Sequence, residues 1–497
     1  MSGLLFSSNG TGIGKIKEEP VVTLSVEAMF TQILEAVHKQ SGELAELRQE
    51  YHELKLANAA LERQLRDQLQ GPSVGTPGGY FSHFGANTRP PSPSRQFGRS
   101  PSYFAPTAPP ALWVPSPNGV GEKFDPGHRE VEGFWVVVPA GGVGSRLWPL
   151  SREAHPKFLL DLTQSGRSLI QATWDRLLPI CSPSRLMIVT GRAHASGVSS
   201  QLPDLVPHNL LCEPSPKDSA AAIGLSAYVL ARRDPTAVMG SFAADHMISG
   251  DEAFLSAVTE AVAVARHDYL VTIGIAPSHP ATGFGYIRLG ESLELKEAPN
   301  ARRVSQFKEK PDARTASQYL STGNYRWNGG MFVAKAQMLV ELLKENSPEL
   351  HAGLEKIAEV WEDEKERERV LAEVWPSLPK IAIDNAVAEP ASVAGKVAVV
   401  PATFGWDDVG DFGSLSDLLP AERNQARVLG DPSLVLLEQV AGGIVVPAAN
   451  RLVACLGVDD LVIVDTPDAL LVTTRARSQE VKRVVKSLSN NGYKQLL

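Results

Sequence analysis

The 497-residue chain is poor in cysteine, and its three thiols, Cys181, Cys212 and Cys455, lie far apart with no CxxC or Cys/His spacing. That scarcity excludes a disulfide framework and a thiolate zinc site, so the three read as small buried residues in a reducing compartment. Long apolar runs are missing as well: no stretch of 18 or more could cross a bilayer as a helix. The first residues lack an apolar signal core and carry Lys15-Ile-Lys-Glu-Glu, which makes the cytoplasm the expected location, with no membrane partner. Positive charge is in deficit, and the formal net charge of -8 argues against a nucleic-acid binder while leaving room for a local basic pocket. What is present is ordinary for a globular protein: a hydrophobic share of 43% can bury a core, and the length asks for more than one domain.

Composition divides the chain. Residues 1–23 read as disordered. Residues 24–70 contain no proline and repeat apolar side chains on a 3-4 spacing, with Phe30, Ile33 and Val37, then Leu44, Leu47, Tyr51, Leu54, Leu61 and Leu65. This heptad seam predicts a coiled-coil helix, with Asn58 at an a position. An a-position Asn is satisfied only opposite an equal partner, so a homo-oligomer assembled through this helix is expected; a single amphipathic helix lying on the body is the alternative. Residues 71–130 turn to Pro, Ser and Gly, as in Arg89-Pro-Pro-Ser-Pro-Ser, and offer too little apolar area to offset ordering entropy. They read as a disordered linker.

From Phe134 onward apolar runs alternate with helical stretches. The runs are Phe134–Val138, Leu186–Val189, Val238–Phe242 and Tyr269–Ile275; the helical stretches include Ser168–Leu178, Asp218–Arg232 and Asp251–His267, each opening on a Ser or Asp suited to an N-cap. Residues 131–419 are therefore expected to form an α/β domain, Rossmann-like, with a mostly parallel sheet covered on both faces. Ligands bind such sheets beyond the strands' carboxyl ends, which puts the loops after Val138, Leu211 and Ala243 on one rim. Residues 420–497 break into short apolar pieces and a last helix near Ser478–Leu488, a small β-rich C-terminal domain in which Asp465 and Asp468 read as turn residues.

The densest chemistry lies in Val138-Pro-Ala-Gly-Gly-Val-Gly-Ser-Arg-Leu-Trp-Pro-Leu, followed by His155-Pro-Lys-Phe-Leu. A buried strand ends there, and Gly141, Gly142 and Gly144 free the backbone to bring N–H groups against anionic oxygens. Arg146 adds a planar fork suited to phosphate, and Lys157 a mobile positive charge, so the loop is read as cradling a triphosphate and stabilising a departing pyrophosphate. It is not a P-loop, which ends Gly-Lys-Ser/Thr, nor a dinucleotide fingerprint, because Leu147 stands where the third glycine belongs. Asp245, closing an apolar strand on the same rim, is placed to hold Mg²⁺. In Phe307-Lys-Glu-Lys-Pro, alternation sets Lys308 and Lys310 on one face and Glu309 on the other. Asp411-Phe-Gly is spelled like a kinase metal motif, but no matching catalytic loop precedes it.

The string GGxGxRLxPL…PK resembles the signature of sugar nucleotidyltransferases, and the form GGVGSRLWPLSRE…PK is similar to the mannose-1-phosphate guanylyltransferases. The likeness continues in order through Glu213-Pro, Ala244-Asp-His, Thr282-Gly-Phe-Gly-Tyr-Ile, Phe307-Lys-Glu-Lys-Pro, Trp327-Asn-Gly-Gly-Met-Phe, Ile383-Asp and Trp406-Asp-Asp-Val-Gly, spanning roughly Phe134 to Leu488. The resemblance implies transfer of GMP from GTP to mannose 1-phosphate, with Mg²⁺ as cofactor on Asp245 and Asp408; Asp407 competes with Asp408. No covalent intermediate or general base is needed, because the attacking phosphate is already ionised. Nucleotide contacts are implied along Ala140, Gly141, Gly142, Gly144, Ser145 and Arg146, and base contacts at Glu213, Asp218 and Ser219. The sugar phosphate falls to Lys310, and the sugar to Glu309, Gly283, Gly285 and Asn328; since alternation separates Lys310 from Glu309, either the Pro311 turn reorients them or one of the two assignments is wrong.

Three departures touch the substrate pockets: Ala281 where the family usually has Glu, Phe284 for Tyr, and Asp218-Ser219 for Asn-Thr. They leave open a different hexose 1-phosphate and nucleotide. The rival of another class is a non-catalytic homologue that binds a sugar nucleotide. A cupin-like region found in bifunctional relatives is not part of the pattern, so no isomerase activity is expected.

Overall fold

A computed structural model describes residues 130–419 and 425–497, so the expectations for the stretches numbered 1–23, 24–70 and 71–129 lie outside the described residues. The first domain contains β1 (Phe134–Ala140), β2 (Leu186–Gly191), β3 (Leu210–Glu213), β4 (Val238–Ser241), β5 (Met247–Ser249), β6 (Leu270–Ile275), β7 (Tyr286–Ser292), β8 (Arg302–Lys308), β9 (Tyr325–Lys335), β10 (Val397–Pro401) and β11 (Gly405–Asp407). Nine of these form one sheet in the order β3-β2-β1-β4-β9-β6-β10-β8-β7, while β5 and β11 pair separately.

The block β3-β2-β1-β4 is parallel, as expected. In the other half β10 pairs β6 in parallel, but β9 runs against both β4 and β6, and β8 against both β10 and β7. Seven of the nine strands therefore share one direction, as the mostly parallel expectation has it, with β8 and β9 reversed among them. No helix covers the link from β7 to β8, and a short helix-free link permits an antiparallel return that a βαβ crossover does not.

Alternation along the buried strands feeds two cores. Val136, Val138 and Ile188 face one layer, with the helices Leu169–Leu177 and Asp251–Ala265. Val137, Met187 and Val189 face the other, under the helices Ser219–Arg233, Ala336–Asn346 and Pro348–Glu359. Each fully buried Val or Leu contributes roughly 1.5–3 kcal/mol. Helix ends follow the sequence signals. Ser168 and Gln171 form a reciprocal capping box, and Asp218 caps Ser219–Arg233. At Asp251 the cap position falls instead to Gly250, and Asp251 sits in the first turn.

The second domain contains β12 (Arg427–Val428), β13 (Val435–Glu438), β14 (Ile444–Pro447), β15 (Val453–Leu456), β16 (Leu461–Asp465) and β17 (Leu470–Thr474). Strands β12, β14 and β16 stack in parallel, as do β13 and β15, with partners 17 or 18 residues apart, and β17 closes antiparallel on β16. Each turn of chain thus adds one rung to each of two ladders, which makes the β-rich domain a short solenoid.

The solenoid has no core to itself. Ile444, Val446, Val462 and Val464 pack in one cluster with Leu147, Trp148, Leu162 and Leu169 of the first domain. The Trp148 indole donates to the Leu496 carbonyl at 2.7 Å, and the Arg152 guanidinium reaches the same carbonyl at 2.8 Å and the Asp468 carboxylate at 2.7 Å. Asp468, expected only to shape a turn, is one half of a tie between domains; Asp465 pairs with Arg451. Asp411 caps the helix Phe412–Leu418 and accepts from Ser478, so its kinase-like spelling is a helix start. Leu147→Ala is expected to cost about 2–5 kcal/mol in urea unfolding, because residue 147 is fully buried in the shared cluster. An unchanged midpoint would show that the two domains do not depend on each other there.

Candidate active site

Strand β1 delivers the glycine loop. The chain leaves Ala140, whose carbonyl accepts from Thr190 Oγ1 at 2.6 Å, through the exposed Gly141 and Gly142. Gly144 has φ 77, and a Cβ there would lie 2.6 Å from the Lys157 Cβ, so position 144 excludes side chains on both conformational and steric grounds. Ser151 Oγ donates to the Gly144 carbonyl at 2.6 Å, and the Lys157 N–H to the Val143 carbonyl at 3.0 Å. These bonds fold the loop back over Lys157. The turn Ser145–Leu147 then sets Leu147 in the shared core and leaves Arg146 on the open side. Arg146 Nε is buried with no partner. An unpaired buried donor costs about 1–3 kcal/mol, which an oxyanion at the loop would cancel.

Lys157 is 5% exposed, and its ammonium donates to the Asp245 carboxylate at 2.7 Å and to the Asp408 main-chain carbonyl at 2.6 Å. The mobile charge expected from the sequence is instead a pinned one, held between the loops after β4 and β11. Burial pushes the Asp245 carboxyl up, but Lys157 and His246 beside it outweigh that and hold it below the usual carboxylate range. Gly144, Arg146, Lys157, Asp245, Asp408 and Lys482 line one cavity of about 370 Å³. Asp407 is turned away: it accepts from the Val409 N–H at 2.6 Å and borders a different cavity. Burial and the neighbouring Asp408 push the Asp407 carboxyl up to about 6. Among the described residues, no three His, Cys, Asp or Glu side chains converge as a metal-ligand set. Asp245 and Asp408 are two hard oxygen donors beside the glycine loop, a set that fits Mg²⁺, an ion that takes few protein ligands and can share a substrate's phosphates.

A second group of residues gathers on β7, β8 and β9. Lys310 takes φ 41 just past the end of β8, which breaks the strand alternation and lets its ammonium reach Glu309 at 2.5 Å. Burial lowers the Lys310 pKa, but the Glu309 carboxylate outweighs it and holds the ammonium above its usual value, with Asp384 and Asp218 acting in the same sense. Glu309 lies over Gly285, where a Cβ would meet its Oε2 at 2.5 Å; Gly283 faces open space. Asn328, expected to present its amide to sugar hydroxyls, is committed to protein partners: Nδ2 donates to Asp384 at 2.6 Å and Oδ1 accepts from Thr272 at 2.9 Å. The carboxylate that Asn328 holds was missed by sequence reasoning beyond its place in an Ile-Asp pair. Burial, with Glu309 nearby, pushes Asp384 up to about 6.

The three base-side candidates separate. Glu213, at the end of β3, lies near Gly141, is 6% exposed, and has its Oε1 buried without a partner. Burial pushes its carboxyl up to about 7. Asp218 instead caps its helix, and Ser219 Oγ accepts from the Ile383 N–H at 2.9 Å, so Ser219 holds the segment that carries Asp384. The Phe284 departure has a structural use. Its ring meets Trp327 and Trp406 edge-on, each at 5.1 Å, and the Trp406 indole donates to His246 at 3.2 Å. An unbroken aromatic contact links the Asn328 strand to the Asp408 loop, and no hydroxyl is needed within it.

Residues 136–425 match the nucleotidyl transferase family, and residues 440–488 the MannoseP isomerase/GMP-like beta-helix domain. The chain belongs to the nucleotidyl transferase family. Within it, the chain is 37% identical to a mannose-1-phosphate guanylyltransferase of Escherichia coli K12, over 72% of this chain and 74% of that one. It is 36% identical to mannose-1-phosphate guanylyltransferase RfbM of Salmonella typhimurium, over 73% and 74%. A crystal structure described as mannose-1-phosphate geranyltransferase from Thermus thermophilus superposes with a TM-score of 0.62 at 33% identity, covering 72% of this chain and 99% of that one. The solenoid thus corresponds to a recognised β-helix module, and the α/β domain to a nucleotidyltransferase.

Glu213 gives a test of the pocket before any ligand is added. Its folded pKa is raised, so the folded state holds a proton there that the unfolded state releases, and this contribution falls away as pH rises from 4.5 to about 7. Glu213→Gln mimics the protonated form. The variant is expected to gain thermal stability over the parent as pH climbs through that window, with the gap closing at acid pH. A gap independent of pH would show that the carboxyl is not held in this strained state.

Proposed function

We propose that the protein transfers GMP from GTP to mannose 1-phosphate, releasing pyrophosphate and forming GDP-mannose. The observation that carries this is the single cavity holding the glycine loop, Arg146 with its unpaired Nε, the Lys157–Asp245 pair and Asp408. The named relatives at 36% and 37% identity support the choice of substrates.

A phosphate oxygen of the sugar phosphate attacks the α-phosphorus, and the bond to the α,β-bridging oxygen breaks with its electron pair leaving on pyrophosphate. The loop N–H groups, Arg146 and Lys157 bind the triphosphate and stabilise the charge gathering on the leaving group. The attacking oxygen is already ionised, so the residues need only orient and neutralise. Mg²⁺ on Asp245 and Asp408 would neutralise phosphate charge and polarise the attacked phosphorus. Lys310 binds the incoming phosphate, with Glu309 and Asp384 turned to sugar hydroxyls. Glu213 accepts from the N1–H and 2-amino group of guanine, a pair of donors that relieves its buried, unpartnered oxygen.

Pyrophosphate release assayed over four nucleoside triphosphates and several sugar 1-phosphates is expected to be fastest with GTP and mannose 1-phosphate. Asp245→Asn should abolish that rate while circular dichroism stays native. Release with no pair sinks the enzyme reading, and an undiminished rate in the variant removes the metal assignment.

A further inference from the structure

The cavity at the glycine loop has a wall that the first domain does not supply. The helix Val481–Asn490 belongs to the C-terminal region, and its first residue, Val481, is buried in the core shared with Leu147 and Trp148. That anchorage places the next residue, Lys482, on the lining of the cavity that contains Gly142, Arg146, Lys157 and Asp245.

Of the cations on and beside this helix only Lys482 lines the cavity; Lys486, one turn further on, does not. Arg477 and Arg483 both pair with Glu480, at 2.9 and 2.8 Å. Lys482 is exposed and has no hydrogen-bond or ion-pair partner among the described residues. Within the cavity, Asp245 already engages Lys157. A lysine with no other partner therefore lines the glycine-loop cavity, whose lining does not include Glu309, Lys310 or Asp384.

We propose that Lys482 is a substrate-binding residue that grips the leaving end of the triphosphate, so that the β-helix module completes the nucleotide site. This rests on the nucleotidyl transfer reading and adds to it a cation delivered from the second domain. A lysine on a flexible stem suits a group that must hold pyrophosphate before bond cleavage and let it go afterwards. The module's packing against the glycine loop then serves catalysis as well as stability, because a shift of the helix withdraws a positive charge from the site.

The test is calorimetric binding of inorganic pyrophosphate, in the presence of Mg²⁺, to the full-length protein and to Lys482→Ala and Lys482→Arg. The alanine variant is expected to bind about tenfold more weakly, the scale of a lost charge-assisted hydrogen bond. The arginine variant should retain most of the affinity, and thermal midpoints should not move, because the residue is exposed. Equal affinity in the parent and the alanine variant overturns the proposal, as does a parent that fails to bind pyrophosphate. Turnover is read separately. Lys482-dependent binding without release from any substrate pair would sustain this inference and defeat the reaction, and normal turnover with Lys482-independent binding would do the reverse.

Discussion

The ion pair between Lys157 and Asp245 is the constraint around which the site is organised. A buried ammonium is tolerable only when paired and hydrogen-bonded, and Lys157 meets that condition by drawing on two loops at once. It takes the carboxylate after β4 and a main-chain carbonyl after β11, while its own N–H closes the glycine loop after β1. Three connections far apart in sequence are thereby fixed to one another with no ligand needed. Gly144 follows from the same constraint, since only the absence of a Cβ lets the loop lie on the lysine stem. The position holds a cation and an anion in balance, and the proposed binding of phosphate and a divalent ion would exchange one set of partners for another.

Beneath that loop the two domains share one apolar cluster, and this explains a small solenoid's persistence. Its strands are of two to five residues and several of its large apolar side chains are exposed, among them Leu436, Leu456 and Val472. Little of its stability comes from its own rungs. Leu147 and Trp148 supply the missing core, and the Arg152–Asp468 pair adds orientation at the edge. Because the same turn that buries Leu147 presents Arg146, the packing of the second domain and the placing of Arg146 on the cavity are one structural fact.

Much of this was legible in the residues. The first four strands, the Ser168 and Asp218 caps and the short β pieces after residue 425 follow from apolar runs and cap chemistry. The direction of β8 and β9 did not, because side-chain alternation is the same whichever way a strand runs. In the site, the glycine loop and Asp245 were readable as local chemistry, whereas Lys157 as a pinned group was not: its partners are 88 and 251 residues away in the chain. Alternation alone left Lys310 and Glu309 on opposite faces unless the chain turned at Pro311, and a positive φ at Lys310 supplies that turn. Asn328 and Ser219 carry polar groups that suit a ligand equally well in sequence, yet the fold spends both on holding Asp384 and its segment. The roles of Asp384, Phe284 and Lys482 depend on long-range packing that no local pattern announces.

The partner exchange at Lys157 is most directly tested by a crystal structure with Mg²⁺ and a non-hydrolysable GTP analogue. The account predicts that the Lys157 ammonium leaves Asp245 for a phosphate oxygen, and that Asp245 and Asp408 lie on the ion at about 2.0–2.1 Å. A Lys157–Asp245 pair still intact, with the ion held by other residues, would contradict it.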